Sequence, residues 1–254
     1  MRDIQKEKPE FEFPLNKVGV KDIAYPLTVL DKENKEQHTV ANINMYVNLP
    51  HTYRGTHMSR FIEILKKHRG QITYKQIKIL LQEMKDIFDA ECAHIELTFP
   101  YFIEKKAPVS GQKSLLKYDV KFDASFGKIF HFILQVNIPV QTLCPCSKEI
   151  SKYGAHNQRS FVSISIESKG LFWIEDLVKI GEESASTEIF SLLKRSDEKF
   201  ITEKAYDNPR FVEDVVRVII EQLNKEKNIK WFSVGVESFE SIHNHSAFAF
   251  YEKK

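Results

Sequence analysis

The chain has 254 residues, 42% hydrophobic and 28% charged, with 37 Lys+Arg against 35 Asp+Glu for a net charge of +2. Such a composition can bury a real core; it excludes a disordered or collagen-like chain and a globally basic nucleic-acid binder, while leaving room for a local basic pocket. No apolar run approaches the ~20 residues of a membrane span, the N-terminus MRDIQKEKPEFEFPL has no apolar signal stretch, and three cysteines, an odd number kept as thiols, predict a cytoplasmic protein.

Residues 1–16 read as a polar arm. A strand over 18–31 and a turn at Lys32-Glu33-Asn34-Lys35 lead to a cleanly alternating strand over 41–49, with Ala41, Ile43, Met45, Val47 and Leu49 on one face. A helix near 56–68 carries Met58, Phe61, Ile62 and Leu65 at helical spacing, and a second starts at Thr73, where Gln76 completes a capping box. Its stripe is Ile77, Leu80, Leu81, Met84 and Phe88. Strands follow at 92–101, 116–124, about 130–138 and 161–167. A helical segment is expected at 173–180 or 187–195, and another beginning at Asn208-Pro209, a capping residue with Pro at the first helical position. Strands at about 231–239 and 245–251 close the chain.

The element order ββααββ thus occurs twice, in modules 17–125 and 126–254, without a matching sequence repeat. Antiparallel strand runs with paired helices indicate an α+β fold. The alternative reading is one irregular α+β sandwich.

The chemistry concentrates in LCPCSKEISKYGAHNQRS (143–160). Cys144 and His156 are ligand types suited to zinc, in a polar loop between two strands. Two buried thiols and a surface histidine would account for the same spacing. Further ligands could come from the carboxylates of KRSDEKFITEKAYDNPRFVED, which reads otherwise as a solvated connection. Glu213 falls in the first turns of a predicted helix, where the dipole favours an anion by about 0.3–1 kcal/mol. An ionised carboxylate there can accept two parallel hydrogen bonds, for example from the N1–H and exocyclic amine of a guanine; it could equally be an ordinary first-turn Glu. His243 and His245, at i and i+2 in SIHNHSAF, are candidates for proton transfer or two edge-strand surface histidines. Arg60, Arg159 and Lys204 are among the basic residues that could meet a polyphosphate; no GxxxxGK[ST] or GxGxxG occurs.

Taken together, LPHTYRGTHMSRF (49–61), LCPCSKEISKYGAHNQRS (143–160), LLKRSDEKFITEKAYDNPRFVEDVVR (192–217) and ESFESIHNHSAFA (237–249) resemble the type IB GTP cyclohydrolase I family over essentially the whole chain after the arm. The resemblance implies the tunnelling fold (T-fold), with tandem ββααββ modules forming antiparallel sheets that carry helices on one face. It implies conversion of GTP and water to 7,8-dihydroneopterin triphosphate and formate, the first step of tetrahydrofolate biosynthesis. It also implies a homotetramer with interfacial active sites, and neither a nucleic-acid nor a membrane partner. Residue by residue, Cys144, His156 and Glu198 match the family's metal-site positions, with Cys144, His156 and His243 catalytic. Glu213 matches the glutamate that anchors the guanine edge, with Arg60, Arg159 and Lys204 as further substrate contacts; Glu240 lies close by, and Cys146 belongs to the motif without being a ligand. The implied metal is zinc or manganese, with iron also compatible. Two other classes stand as alternatives: a T-fold nitrile reductase, whose E-S-K-S-hydrophobic-K string is not found, and a non-enzymatic module clipped by zinc.

Overall fold

The computed structural model describes residues 3–68, 70 and 72–253. They form two compact units: residues up to Pro100 with Lys121–Leu134, and Tyr101–Val120 with Gln135 onward.

In the first unit, β1 (Leu15–Asp31) and β2 (Lys35–Leu49) form an antiparallel hairpin in the register Leu15↔Leu49 to Asp31↔Lys35. The turn forms where expected because Asp31 folds back on it: its Oδ1 accepts the N–H groups of Glu33 at 2.9 Å and Asn34 at 2.6 Å. Gly19 is required by the pairing, since a Cβ there would lie 1.9 Å from the Met45 carbonyl oxygen. The alternation in β2 is fully expressed, with Ala41, Ile43, Met45, Val47 and Leu49 all buried.

Two helices pack in the same unit, α1 (Met58–Lys67) and α2 (Tyr74–Phe88). The capping box at Thr73 and Gln76 is present, with Thr73 N–H donating to Gln76 Oε1 at 3.1 Å and Gln76 N–H to Thr73 Oγ1 at 3.4 Å. In α1 the buried stripe is Phe61, Ile64 and Leu65, while Met58 and Ile62 are exposed, so the inward face is rotated from the predicted one. The sheet of this unit runs β1-β2-β3-β4-β5, where β3 is Ala93–Lys106, β4 is Lys113–Phe126 and β5 is Phe130–Leu143, each contributing the part that falls within the unit. The arm is tied down rather than loose: Arg54 N–H donates to the Glu7 carbonyl at 2.9 Å and Gly55 N–H to that of Gln5 at 3.1 Å.

The second unit carries the remaining parts of β3, β4 and β5. It adds α3 (Pro145–Ile150), β6 (Asn157–Ser168), α4 (Ile174–Ser184), β7 (Thr187–Glu188), α5 (Arg195–Asp207), α6 (Val212–Lys225), β8 (Ile229–Ser238) and β9 (Ala247–Glu252). Its sheet runs β3-β4-β5-β6-β8-β9, with the two-residue β7 on β5. β6 and β8 are in the register Ser160↔Ser238 to Ile166↔Phe232, which buries Val162, Ile164, Ile166, Phe232, Val234 and Val236 beneath the helices. The fold is α+β, an antiparallel sheet with helices on one side.

One expectation is resolved between its alternatives, and two elements depart from the sequence expectations. The helix expected at 173–180 or 187–195 is α4, and 187–188 pairs as a strand instead. The charge-dense stretch read as a connection is the helix α5. Its start is fixed by Asp197, whose Oδ2 accepts Lys194 N–H at 2.8 Å while its Oδ1 accepts Val109 and Ser110 N–H, both at 2.8 Å. Finally, α6 begins at Val212 rather than at Pro209. The Asn208 amide donates to the carbonyls of Ala185 and Ser186, and Arg210 N–H donates to Leu143, so 208–210 is spent stitching neighbouring segments together. Among the described residues no helix is long and apolar enough to cross a membrane.

Candidate active site

Cys144 directly follows β5 and caps α3, with Pro145 at its first position. The chain then makes a closed excursion and returns through His156 into β6. Ser147 staples both ends: its Oγ donates to the Cys144 carbonyl at 3.1 Å and accepts His156 N–H at 3.2 Å, while its own N–H donates to Cys144 Sγ at 3.5 Å. The Cys144 N–H donates to the His156 carbonyl at 3.1 Å. Two residues twelve apart in sequence are therefore backbone neighbours.

A hydrogen-bonded chain runs on from His156. Its Nδ1 lies 3.0 Å from Gln158 Oε1 and 3.7 Å from Glu240 Oε2. The Gln158 amide nitrogen donates to Glu240 Oε1 at 3.3 Å and to Thr142 Oγ1 at 3.1 Å. Beneath lies a triangle of hydroxyls, Thr142–Ser160 at 2.8 Å, Ser160–Ser238 at 2.5 Å and Thr142–Ser238 at 3.2 Å. Three oxygens and three protons can satisfy one another around that ring, which lets these groups sit at 0–1% exposure without loss.

Beside this network opens a cavity of about 160 Å³. Thr142, Cys144, Gln158, Ser238 and Glu240 line one side, and the start of α6 with Arg210, Phe211, Val212 and Glu213 lines the other. Arg210 is oriented by its Nε, which donates to Asn208 Oδ1 at 3.1 Å. Phe211 N–H, at the helix start, donates to Asp214 Oδ2 at 3.3 Å. Two carboxylates, one guanidinium, one thiol and amide and hydroxyl groups thus converge on a single concave surface, as a site for a polar heterocycle requires.

Of the residues singled out in the sequence, Cys144 and Glu213 line this cavity, and His156 is joined to it through Gln158 and Glu240. His243 and His245 lie exposed in the turn after Glu240, their rings stacked at 5.0 Å, with His243 N–H donating to the Glu240 carbonyl at 3.3 Å. Glu198 is exposed on α5 and does not line the cavity. Arg159 is exposed on β6, on the face opposite Gln158 and Ser160. Lys204 is engaged by Glu188 at 2.5 Å. Burial alone would raise the Glu188 carboxyl, but the Lys204 ammonium, a backbone N–H and the charge of Lys105 together outweigh it and hold Glu188 below its ordinary range. Arg60, in the first unit, donates to the Ile87 carbonyl at 3.3 Å.

Gln158, Arg210 and the hydroxyl triangle went unremarked in the sequence. A signal for two of them existed: Gln158 and Ser160 continue the inward-facing alternation of Val162, Ile164 and Ile166, and polar residues on a core face call for partners.

In kind, the donors fit a divalent ion. Cys144 offers a sulfur, and His156 a ring nitrogen oriented through its neighbour by an amide, the arrangement that tunes metal-ligating histidines. In number the set is a pair with Glu240 alongside: among the described residues no three His, Cys, Asp or Glu side chains are gathered as a ligand group. All three cysteines are free thiols, Cys92 being in the first unit, 3.3 Å from His94 Nε2.

Residues 1–249 match the family model described as type I GTP cyclohydrolase FolE2. The GTP cyclohydrolase FolE2 of Geotalea uraniireducens (strain Rf4) is 55% identical over 253 residues, covering 100% of this chain and 93% of that protein. Its counterpart from Geobacter metallireducens is 54% identical over 253 residues (100% and 97%), and that from Thermosipho africanus 54% over 250 residues (98% and 96%). Among solved structures, uricase from Arthrobacter globiformis superposes with a TM-score of 0.52 at 9% identity, covering 94% of each chain. Urate oxidase from Bacillus sp. TB-90 gives 0.55 at 8% identity, covering 94% of this chain and 100% of that one. At such identities the likeness speaks to the fold alone, which is the tunnelling fold.

Proposed function

The chain belongs to the type I GTP cyclohydrolase FolE2 family, and from that premise we propose that the cavity between Cys144 and Glu213 is where GTP and water become 7,8-dihydroneopterin triphosphate and formate, the first step of tetrahydrofolate biosynthesis. The observation that carries the assignment of the site is the convergence of Cys144, Glu213 and Glu240 on one cavity, with His156 hydrogen-bonded into it.

Glu213 anchors the base. Its carboxylate, in the first turn of α6, can accept the N1–H and the exocyclic amine of guanine together, and the helix dipole favours its charge. That grip turns C8 of the purine toward Cys144 and His156. Cys144 and His156 would hold a divalent metal, zinc or manganese, with Glu240 as the carboxylate nearest His156 and with Glu198, which does not line the cavity within one chain, as the third ligand that the resemblance implies. When bound, the ion supplies Lewis acidity at the reacting end of the purine. Water adds at C8, the imidazole ring opens to a formamide, a second water releases formate, and the opened ribose, rearranged to a ketone, condenses with the freed amine and expels one water as the pterin ring closes, so that one water is consumed overall. His243 moves protons to and from the ring nitrogens. Arg159 and Lys204 hold the triphosphate, Lys204 by exchanging Glu188 for phosphate oxygens, and Arg60 is a substrate contact on the resemblance alone.

The working form is a homotetramer with sites completed at subunit interfaces. Exposure of Glu198 and His243 supports this reading, as does β9, a sheet-edge strand with Phe248 65% and Phe250 56% exposed. A cytoplasmic setting suits the three free thiols. The test is anaerobic incubation with GTP and Mn²⁺ or Zn²⁺, followed by formate measurement and, after oxidation, pterin fluorescence. Cys144→Ala should abolish both signals and metal retention in a folded protein; full activity in that variant would overturn the site.

A further inference from the structure

We propose that Gln158 is a positioning residue that sets the tautomer of His156, keeping the proton on Nδ1 and leaving Nε2 bare as a donor atom. The proposal rests on the reading of Cys144 and His156 as the metal-holding pair, and it follows from a chain of forced choices. Glu240 lies 3.3 Å from one end of the Gln158 amide, and a carboxylate oxygen accepts. The end facing it must therefore be the NH₂, and the end facing His156, at 3.0 Å, must be the carbonyl oxygen. A carbonyl oxygen can only accept, so the His156 nitrogen opposite it must donate.

Flipping the amide would set its oxygen against the carboxylate and its NH₂ against Nδ1. Thr142 Oγ1, 3.1 Å from Gln158 Nε2, accepts the second amide proton in the stated orientation; a hydroxyl can accept or donate, so it is Glu240 that decides between the two orientations. Gln158 is 8% exposed and lines the cavity, and in this scheme it acts on the reaction through His156.

The experiment uses the full-length chain labelled with ¹⁵N-histidine and treated with chelator. The His156 resonances are identified by their absence in His156→Ala, and long-range ¹H–¹⁵N correlation distinguishes an Nδ1–H from an Nε2–H ring. The wild type should show the Nδ1–H tautomer. Gln158→Met, which keeps length and removes both hydrogen-bonding ends, should lose that tautomer preference, and its Zn²⁺ affinity by chelator competition should fall 10–100-fold. An Nε2–H ring in the wild type overturns the proposal without any variant, so it can be tested even where Gln158→Met does not fold. An unchanged tautomer in a folded Gln158→Met overturns it too, whatever happens to the metal. If the tautomer behaves as expected but wild-type protein takes up no Zn²⁺ or Mn²⁺, the orienting role of Gln158 stands and the metal reading falls.

Discussion

The backbone N–H of Cys144 donates to the carbonyl of His156 at 3.1 Å, so the excursion that leaves β5 closes on itself where β6 begins. Ser147 carries that closure from inside the loop, through its hydroxyl bonds to the Cys144 carbonyl and the His156 N–H. Ser147→Ala takes the partner from the His156 N–H and leaves the Cys144 carbonyl with the Lys148 N–H at 3.2 Å alone. We expect a loss of about 1–2 kcal/mol in denaturant stability, and a fall in metal retention larger than that of a control alanine at Ser151. Stability and metal retention both equal to wild type would show that the closure does not depend on this hydroxyl.

The anchoring role of Glu213 predicts a loss tied to the base. Glu213→Gln replaces one of two acceptors by a donor, which then faces a donor on guanine. Steady-state assays should show kcat/KM for GTP falling by about a hundredfold or more, while far-UV circular dichroism and the thermal midpoint stay close to wild type, since the residue is exposed. Wild-type enzyme should in turn discriminate against inosine triphosphate, which lacks the exocyclic amine. Equal binding of the two nucleotides would remove Glu213 from the guanine edge.

Asp197 predicts a pH dependence of stability. Burial alone would raise its carboxyl, but hydrogen bonds from the Ser110 hydroxyl and from the N–H groups of Ser110, Lys194 and Val109 outweigh that and hold it well below the usual carboxylate range. A folded pKa below the unfolded one means that its contribution is complete above the unfolded value of about 3.9 and drains away as pH falls toward the folded value. Asp197→Asn should therefore lower the urea midpoint at pH 7 and 5, with the gap to wild type narrowing below pH 4. A gap independent of pH would mean that the ionised form is not what holds the start of α5.

How much of this was legible beforehand differs by element, and the reason is range. The β2 alternation and the Thr73–Gln76 capping box are contacts among near neighbours, and both were readable as spacing. Helix α5 was not, because its buried stripe is only Asp197, Ile201 and Ala205, and a carboxylate on the inward face looks like solvent exposure until Val109 and Ser110 supply its donors. Asn208-Pro209 carried a genuine start signal, overridden by tertiary hydrogen bonds to Ala185 and Ser186. In the site, Cys144 and His156 stood out as ligand types, whereas the Gln158–Glu240 contact joins residues 82 apart and leaves no local trace. The oddity that could have been noticed is a glutamine on a core-facing strand position.

The edge strand β9 supplies the last prediction. It ends the sheet of the second unit, and its outward Phe248 and Phe250 are too exposed for a strand with water as its only neighbour. If the enzyme works as a homotetramer, Phe250→Asp should shift the species seen by light scattering toward smaller assemblies. A charge on an already exposed strand position should leave the fold of the chain itself intact, as near-wild-type circular dichroism would report. Activity should then rise with protein concentration more steeply than in proportion, because sites completed between chains vanish on dilution. A Phe250→Asp protein of reduced mass that keeps full specific activity at every dilution would confine the whole active site to one chain and end the interfacial reading.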